Sequence, residues 1–454
     1  MTYISEPAKS VPVVQEVDIV VVGGSCTGVF AAIRAARLGA KVAIVERANA
    51  FGGGATTGMV CIWHSLQDTT FKKQIIAGLT QEIFELLRLI PNALDETFAA
   101  EGEPYRMKTI MDYRLNTEEL KIELDRMINE AKITPYLHTF YTNPYVADGQ
   151  LTAVILENKS GRFAIKAKYF IDATADGDLG MHMGMEVYRH EGFQPATTSA
   201  RVYGWNKLTE PNRKLNKNRK RIGCDIGWDT YIKGVDNVQY WAKSNVIMDT
   251  ADGNGLTRAE MESRGQVREM MNVLREEDPE GKNLVLLALS SVIGIRETRQ
   301  LRCSYQLLFD DIRYGKEFDD AIAYGAYPSD IHHHNKPGAT YYYLDGVEEF
   351  VVVGGENIFS RWRNDTGPYP TSWQIPYRSM LPEKIDNLLI CGRAVDADKG
   401  AFGAIRVMVN LNQTGEAAGV AAYEALSSGK TVQDIDIKSM RRKMKQGGSI
   451  VFND

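Results

Sequence analysis

The chain has 454 residues, 44% hydrophobic and 24% charged, with 40 Gly and 15 Pro. This composition suits a globular protein of two or three domains and excludes disordered, collagen-like and coiled-coil classes. A net charge of −5 argues against nucleic acid as the main partner, and no run approaches the roughly 18 apolar residues that cross a bilayer.

The first 15 residues hold Glu6, Lys9 and two prolines and do not read as a secretory signal, so the expected compartment is the cytoplasm. Residues 17–22 (VDIVVV) form a β-branched apolar run, the pattern of a buried parallel strand. It stops at Gly23-Gly24-Ser25-Cys26-Thr27-Gly28. A helical pattern follows, with Val29, Phe30, Ile33, Ala36 and Leu38 on one face and Gly39 as its stop. Residues 41–46 (KVAIVE) are a second strand that ends in an acid. Strand, glycine turn, helix and acidic strand together make a dinucleotide-binding unit. The turn is expected to present backbone N–H groups to a pyrophosphate and Glu46 to accept from an adenosine ribose hydroxyl, with a merely structural βαβ turn as the alternative. One position departs from the G-x-G-x-x-G pattern: Ser25 stands where the second glycine belongs.

Arg47 comes next, and residues 51–58 (FGGGATTG) add a second glycine-rich segment. With it the chain resembles the glutathione-reductase-like FAD proteins, and among them the FAD-dependent oxidoreductases that include heterodisulfide reductase A-like proteins. The resemblance implies that FAD is the cofactor and that this segment passes its pyrophosphate and reaches the isoalloxazine. Gly53, Gly54, Ala55, Thr56 and Thr57 then join the first turn, Glu46 and Arg47 as cofactor-binding residues. His64 follows soon after and is expected near the flavin, as a catalytic base or as a packed structural histidine. Thr57 and Cys61 are expected in the same neighbourhood.

Asn116 precedes Thr117-Glu118-Glu119 as an N-cap, and Leu120, Leu124, Met127 and Ile128 mark one face of a helix through Ala131. Residues 135–142 (PYLHTFYT) read as one strand, with Tyr141 among the cofactor-binding candidates. Turn signals at 147–150 and 158–161 flank residues 151–157 and give an antiparallel meander. The third strand of the nucleotide domain is 169–174, followed by Ala175-Asp176-Gly177-Asp178. The family shows glycine where this chain has Ala175. The resemblance sets Ala173 and Thr174 against the ADP half with Asp178 nearby; an acidic turn after a buried strand is the alternative.

Residues 182–380 are richer in Tyr, Trp, Arg and Asn and are expected to face the substrate. Residues 205–221 carry seven Lys or Arg in 17 positions, read as a solvated face ahead of a site for an acidic partner. Gly294-Ile295-Arg296-Glu297-Thr298-Arg299 matches a signature of the same family. Arg296 and Arg299 either orient an anionic or carbonyl group or form an internal lattice with Glu297. His332-His333-His334 has poor metal-ligand spacing and reads as a loop near the substrate mouth. No CxxC exists among Cys26, Cys61, Cys224, Cys303 and Cys391, so neither metal nor iron–sulfur centre is expected.

Residues 386–391 (DNLLIC) are a buried strand, followed by Gly392 and Arg393. A helix of small residues is expected from Gln413 to Ala425, beginning near Asn410, Leu411 and Asn412. This resembles the family's last FAD motif, with the helix N-terminus aimed at the flavin pyrimidine. The expected fold is α/β: a Rossmann-like FAD-binding domain of the glutathione-reductase type from residues 1–181 and 381–454, with an inserted α+β substrate domain at 182–380. The expected function is hydride transfer between a small-molecule substrate and flavin N5. The alternative is a flavin-binding sensor or an electron-transfer component without turnover. Substrate identity, electron acceptor, covalent flavin attachment and any homo-oligomer stay open.

Overall fold

Five short strands run parallel in the order Leu388–Ile390, Tyr169–Asp172, Ile19–Val22, Val42–Val45, Thr134–Tyr136. They are seen in a computed structural model of the chain, which describes residues 2–97, 111–364 and 367–452. Alternate residues of these strands enter two different cores. Ile19, Val21, Ile44, Ile171 and Leu389 face one, and Val20, Val22, Ala43, Phe170 and Leu388 face the other. Burial on both sides is why the strands read as unbroken apolar runs.

Helix Cys26–Arg37 covers the first face, capped by Ser25 and stopped after Leu38 by Gly39 at φ 109°. Beside it lies helix Met408–Ser428. A Cβ at Gly415 would come 2.0 Å from the Thr27 carbonyl oxygen, and one at Gly419 2.2 Å from that of Ala31. These two glycines, one turn apart, let the helices approach backbone to backbone. The other face packs on an antiparallel meander of Phe140–Ala147, Gln150–Asn158 and Gly161–Lys166, with Val13–Glu16 added in parallel.

Two expected boundaries move. Residues 135–142 are not one strand: Thr134–Tyr136 belongs to the parallel sheet, and the meander starts at Phe140. Between them His138 adopts φ 50°, and its N–H donates to Ala48 while that of Thr139 donates to Glu46. The small-residue helix starts at Met408, five residues ahead of Gln413, and runs to Ser428 before Gly429. Helix Thr117–Glu130 matches its expected face and cap, with Asn116 accepting from the N–H groups of Glu118 and Glu119.

Residues between these parts build antiparallel sheets. Trp228–Ile232, Val235–Ala242, Ala200–Tyr203 and Val285–Leu289 form one, packed against helix Gly253–Glu277. Ser329–His332, Ala339–Tyr342, Val347–Val351 and Ile358–Arg361 form another. The basic run lies along the long helix: Arg221 pairs with Glu269 at 2.6 Å and Glu276 at 2.7 Å, and Lys214 with Asp278 at 2.6 Å. Among the described residues no helix is long and apolar enough to cross a membrane.

Candidate active site

A cavity of about 890 Å³ runs from the first glycine turn to the antiparallel sheets. At its first end, the Gly23 N–H donates to Val45 at 2.8 Å and its backbone turns at φ 106°. Glu46 accepts from the Gly24 N–H at 2.7 Å and from the Ala48 N–H at 2.8 Å, which fixes its carboxylate on the cavity rim. Ser25 has φ −61° and ψ 170°, a conformation open to any residue, and its hydroxyl sits at the helix start. Cys26 also lines this end; burial pushes its thiol up to about 12, so it stays a neutral group.

The end of strand Tyr169–Asp172 forms the adjoining wall. Asp172 accepts from the Thr174 N–H at 3.0 Å, the Thr174 hydroxyl at 2.7 Å and the Gly180 N–H at 2.9 Å, which folds residues 173–180 over the cavity. Burial pushes this carboxyl up to about 6. Arg393 holds Asp176 at 3.2 Å, while its Nη1 is buried without a hydrogen-bond partner. Asn412 Oδ1, in the first turns of helix Met408–Ser428, is likewise buried and unpartnered. Both residues line the cavity. An unpaired buried polar atom is costly unless a ligand completes it. Above Gly54 there is open space, with no atom within 4 Å of a Cβ built there. Donors, an acceptor and a groove of nucleotide size fit a dinucleotide such as FAD.

Farther along, strand Ile62–Trp63 pairs antiparallel with Asp112–Leu115, Ile62 opposite Arg114 and Trp63 opposite Tyr113. The same register brings His64 to Asp112, with Nδ1 and Oδ1 2.7 Å apart, and the ring stacks on Tyr327 at 4.5 Å between centroids. Arg296 donates through Nη1 to the Pro195 carbonyl and the Thr197 hydroxyl, both at 2.6 Å. Arg406 donates to Asp330 Oδ2 at 2.6 Å, and His332 Nε2 lies 3.4 Å from Asp330 Oδ1. Burial opposes ionisation of Asp330, but His332, Arg406 and Arg296 outweigh it and hold the carboxyl well below its usual range. Burial pushes the His332 ring down, towards its neutral form.

Of the residues singled out from sequence, the cavity brings together Gly23, Ser25, Cys26, Thr27, Glu46, Arg47, Gly53, Gly54, Thr57, Tyr141, Ala173, Thr174, Asp178, Gly392, Arg393, Leu411, Asn412, His64 and Arg296. Others sit off its wall. Gly24 serves Glu46, and Gly28 packs where a Cβ would lie 1.9 Å from the Gly23 carbonyl. Ala55 and Thr56 are buried beneath the segment, and Asn410 donates to Ala404 at 3.0 Å. Arg299 is turned away from the cavity, its guanidinium taken by Asp178 and by the Asp176 carbonyl at 2.6 Å. Glu297 joins neither arginine; it accepts from His190 and Gln194. Cys61 is enclosed with Met59, Tyr240 and Ala242.

Sequence reasoning missed Asp112, Asp330, Tyr327 and Arg406 on the wall, and placed His332 only as a loop residue. The i, i+2 spacing of Asp330 and His332 on one strand was the available signal. Among the described residues no cluster of three His, Cys, Asp or Glu could hold a metal ion.

The family model described as FAD dependent oxidoreductase matches residues 18–444. Three solved structures are similar to the chain. A geranylgeranyl bacteriochlorophyll reductase-like protein from Thermoplasma acidophilum is 11% identical, with 95% of this chain and 83% of that chain covered and a TM-score of 0.46. The myxobacterial chondrochloren halogenase CndH is 12% identical over 95% and 79%, with a TM-score of 0.44. L-proline dehydrogenase from P. horikoshii is 11% identical over 96% and 100%, with a TM-score of 0.40. The search of curated proteins finds no match.

Proposed function

We propose, from the premise that the chain belongs to the FAD dependent oxidoreductase family and takes FAD as its cofactor, that it removes a hydride and a proton from a small organic substrate between His64 and Arg296. The observation that carries this is continuity. One cavity joins the dinucleotide turn to the His64–Asp112 pair.

In this reading residues 1–181 and 381–454 form a glutathione-reductase-type nucleotide domain, and 182–380 form the inserted substrate region. The relation to heterodisulfide reductase A-like proteins belongs to the same proposal. Glu46 holds the ribose, residues 23–28 and Arg47 the pyrophosphate, and Arg393 and Asn412 supply the unpaired donor and acceptor. When bound, FAD supplies the hydride acceptor.

The rest is done by the chain. His64 takes the proton that leaves the substrate, while Asp112 fixes the ring's orientation and balances its charge. Tyr327 holds the ring in plane by stacking. Arg296, fixed by Pro195 and Thr197, stabilises negative charge developing on a substrate oxygen. Residues of the inserted region, among them Thr197, Tyr341 and Glu349, complete the cavity wall around these groups.

The test is anaerobic reduction of the purified flavoprotein by a panel of sugars, hydroxy acids, amines and nicotinamides. At least one class is expected to bleach the flavin bands. His64→Gln should retain stoichiometric FAD yet reduce at least ~100-fold more slowly. Wild-type reduction rates in His64→Gln would place the proton transfer elsewhere.

A further inference from the structure

Past His64 the cavity ends in a group of charges that hydride transfer alone does not require. Arg296 and Arg406 both line it, with Asp330 and His332. Asp330 pairs with Arg406 through Oδ2. The Arg406 Nε is buried without a hydrogen-bond partner. Arg296 spends only Nη1 on the protein, with no acceptor among the described residues for its Nε or Nη2. Burial pushes the His332 ring down while Asp330 pulls the other way. Two guanidiniums therefore line this end of the cavity beside Asp330. Their proximity shows in Arg296, which burial and the neighbouring Arg406 together push down to about 10. Glu349 also lines the cavity, but it is hydrogen-bonded to the Tyr343 hydroxyl and to Asn357 at 2.7 Å.

The buried, unpartnered Arg406 Nε is costly until an acceptor completes it, and the unspent edge of Arg296 on the same cavity can share that acceptor. The flat fork of an arginine matches a carboxylate through two parallel hydrogen bonds. We propose that Arg296 and Arg406 form a carboxylate-docking subsite, so that the substrate class is a small carboxylic acid whose oxidisable carbon is presented towards His64. This deepens the proposed function and rests on it for the identity of the reaction, but not for binding.

Binding is measured on the FAD-loaded protein by perturbation of the flavin absorption bands and by thermal shift, with benzoate and glycolate against their neutral amides and against glucose. Both acids should bind saturably, and each amide at least about 10-fold more weakly. Arg296→Met and Arg406→Met should each weaken acid binding at least about 10-fold at unchanged FAD content, and Arg296→Lys should restore part of it. Amides binding as tightly as acids, acids binding Arg296→Met as tightly as wild type, or no saturable acid binding would each overturn the subsite. The acid–amide comparison needs no variant, so a misfolded Arg406→Met leaves the test intact. Benzoate has no carbon able to give up a hydride and tests the subsite alone; saturable benzoate binding to a protein whose flavin no member of the substrate panel reduces would sink the catalytic reading and leave the subsite standing.

Discussion

Two residues replace glycines of the nucleotide pattern, and the backbone treats them differently. Ser25 has an ordinary extended conformation, so a side chain there strains nothing. Ala175 sits at φ 68°, in the left-handed region where a Cβ crowds the backbone. Ala175→Gly should therefore stabilise the protein by about 1 kcal/mol, read as a higher urea midpoint at unchanged slope; an unmoved midpoint would contradict the strain. His333 gives a pH signature. Its ring bonds the Thr340 hydroxyl at 2.7 Å, and burial pushes it down to about 4. The unfolded chain takes up that proton near pH 6.5, before the folded chain does, so stability from this group falls as pH drops from about 6.5 to about 4. Asp172, pushed up to about 6, acts in the opposite sense over part of that range. The expectation is accordingly a difference: His333→Gln should lose less stability than wild type between pH 7 and 4.5 in parallel urea titrations.

Between elements, one tie is ionic and buried. Arg34 on helix Cys26–Arg37 donates through Nε to Glu416 Oε2 at 2.8 Å, and Glu416 Oε1 accepts from the Leu79 N–H at 3.1 Å. One carboxylate from helix Met408–Ser428 thus pins the first helix and caps helix Leu79–Arg88, whose own N-cap is Gly78. Arg34→Met leaves that carboxylate uncompensated and should cost about 3–5 kcal/mol. Adding Glu416→Gln should recover part of the loss, because glutamine keeps an acceptor for Leu79 without the charge. Additive losses in chemical denaturation would disprove the coupling. The same elements show what sequence patterns reveal. Strands 17–22 and 41–46 and the helix between them were legible because each is strongly apolar and bounded by glycine or an acid. The start of helix Met408–Ser428 was expected near Asn410 to Gln413 and not at Met408, because asparagine is a weak helix former. In place, Asn410 satisfies its side chain on Ala404, which lets the helix begin earlier.

At the scale of the molecule, the cavity takes walls from Val22 at one end of the chain to Asn412 near the other. Motif order revealed the nucleotide end, where local patterns carry the chemistry. The distal wall was largely hidden, because Arg406 and Asp330 meet only through the packing of helix Lys399–Ile405 beside strand Ser329–His332. A ligand that spans these parts favours the folded state. FAD at about 1,000 times its dissociation constant should add about 4 kcal/mol, seen as a higher calorimetric melting temperature for loaded than for stripped protein; equal values would mean that the folded chain holds the cofactor no better than the unfolded one. The chain order of the parallel sheet has a further consequence, for biosynthesis. Strand Tyr169–Asp172 leaves the ribosome long before its neighbour Leu388–Ile390, an interval of roughly 10–40 s at ordinary elongation rates. Through that interval one sheet edge is bare, and the Thr27 and Ala31 face of the first helix lacks the glycines that cover it. The nascent chain is then at its most prone to pair with other copies, so folding yield depends on chaperone cover during translation of its last segment.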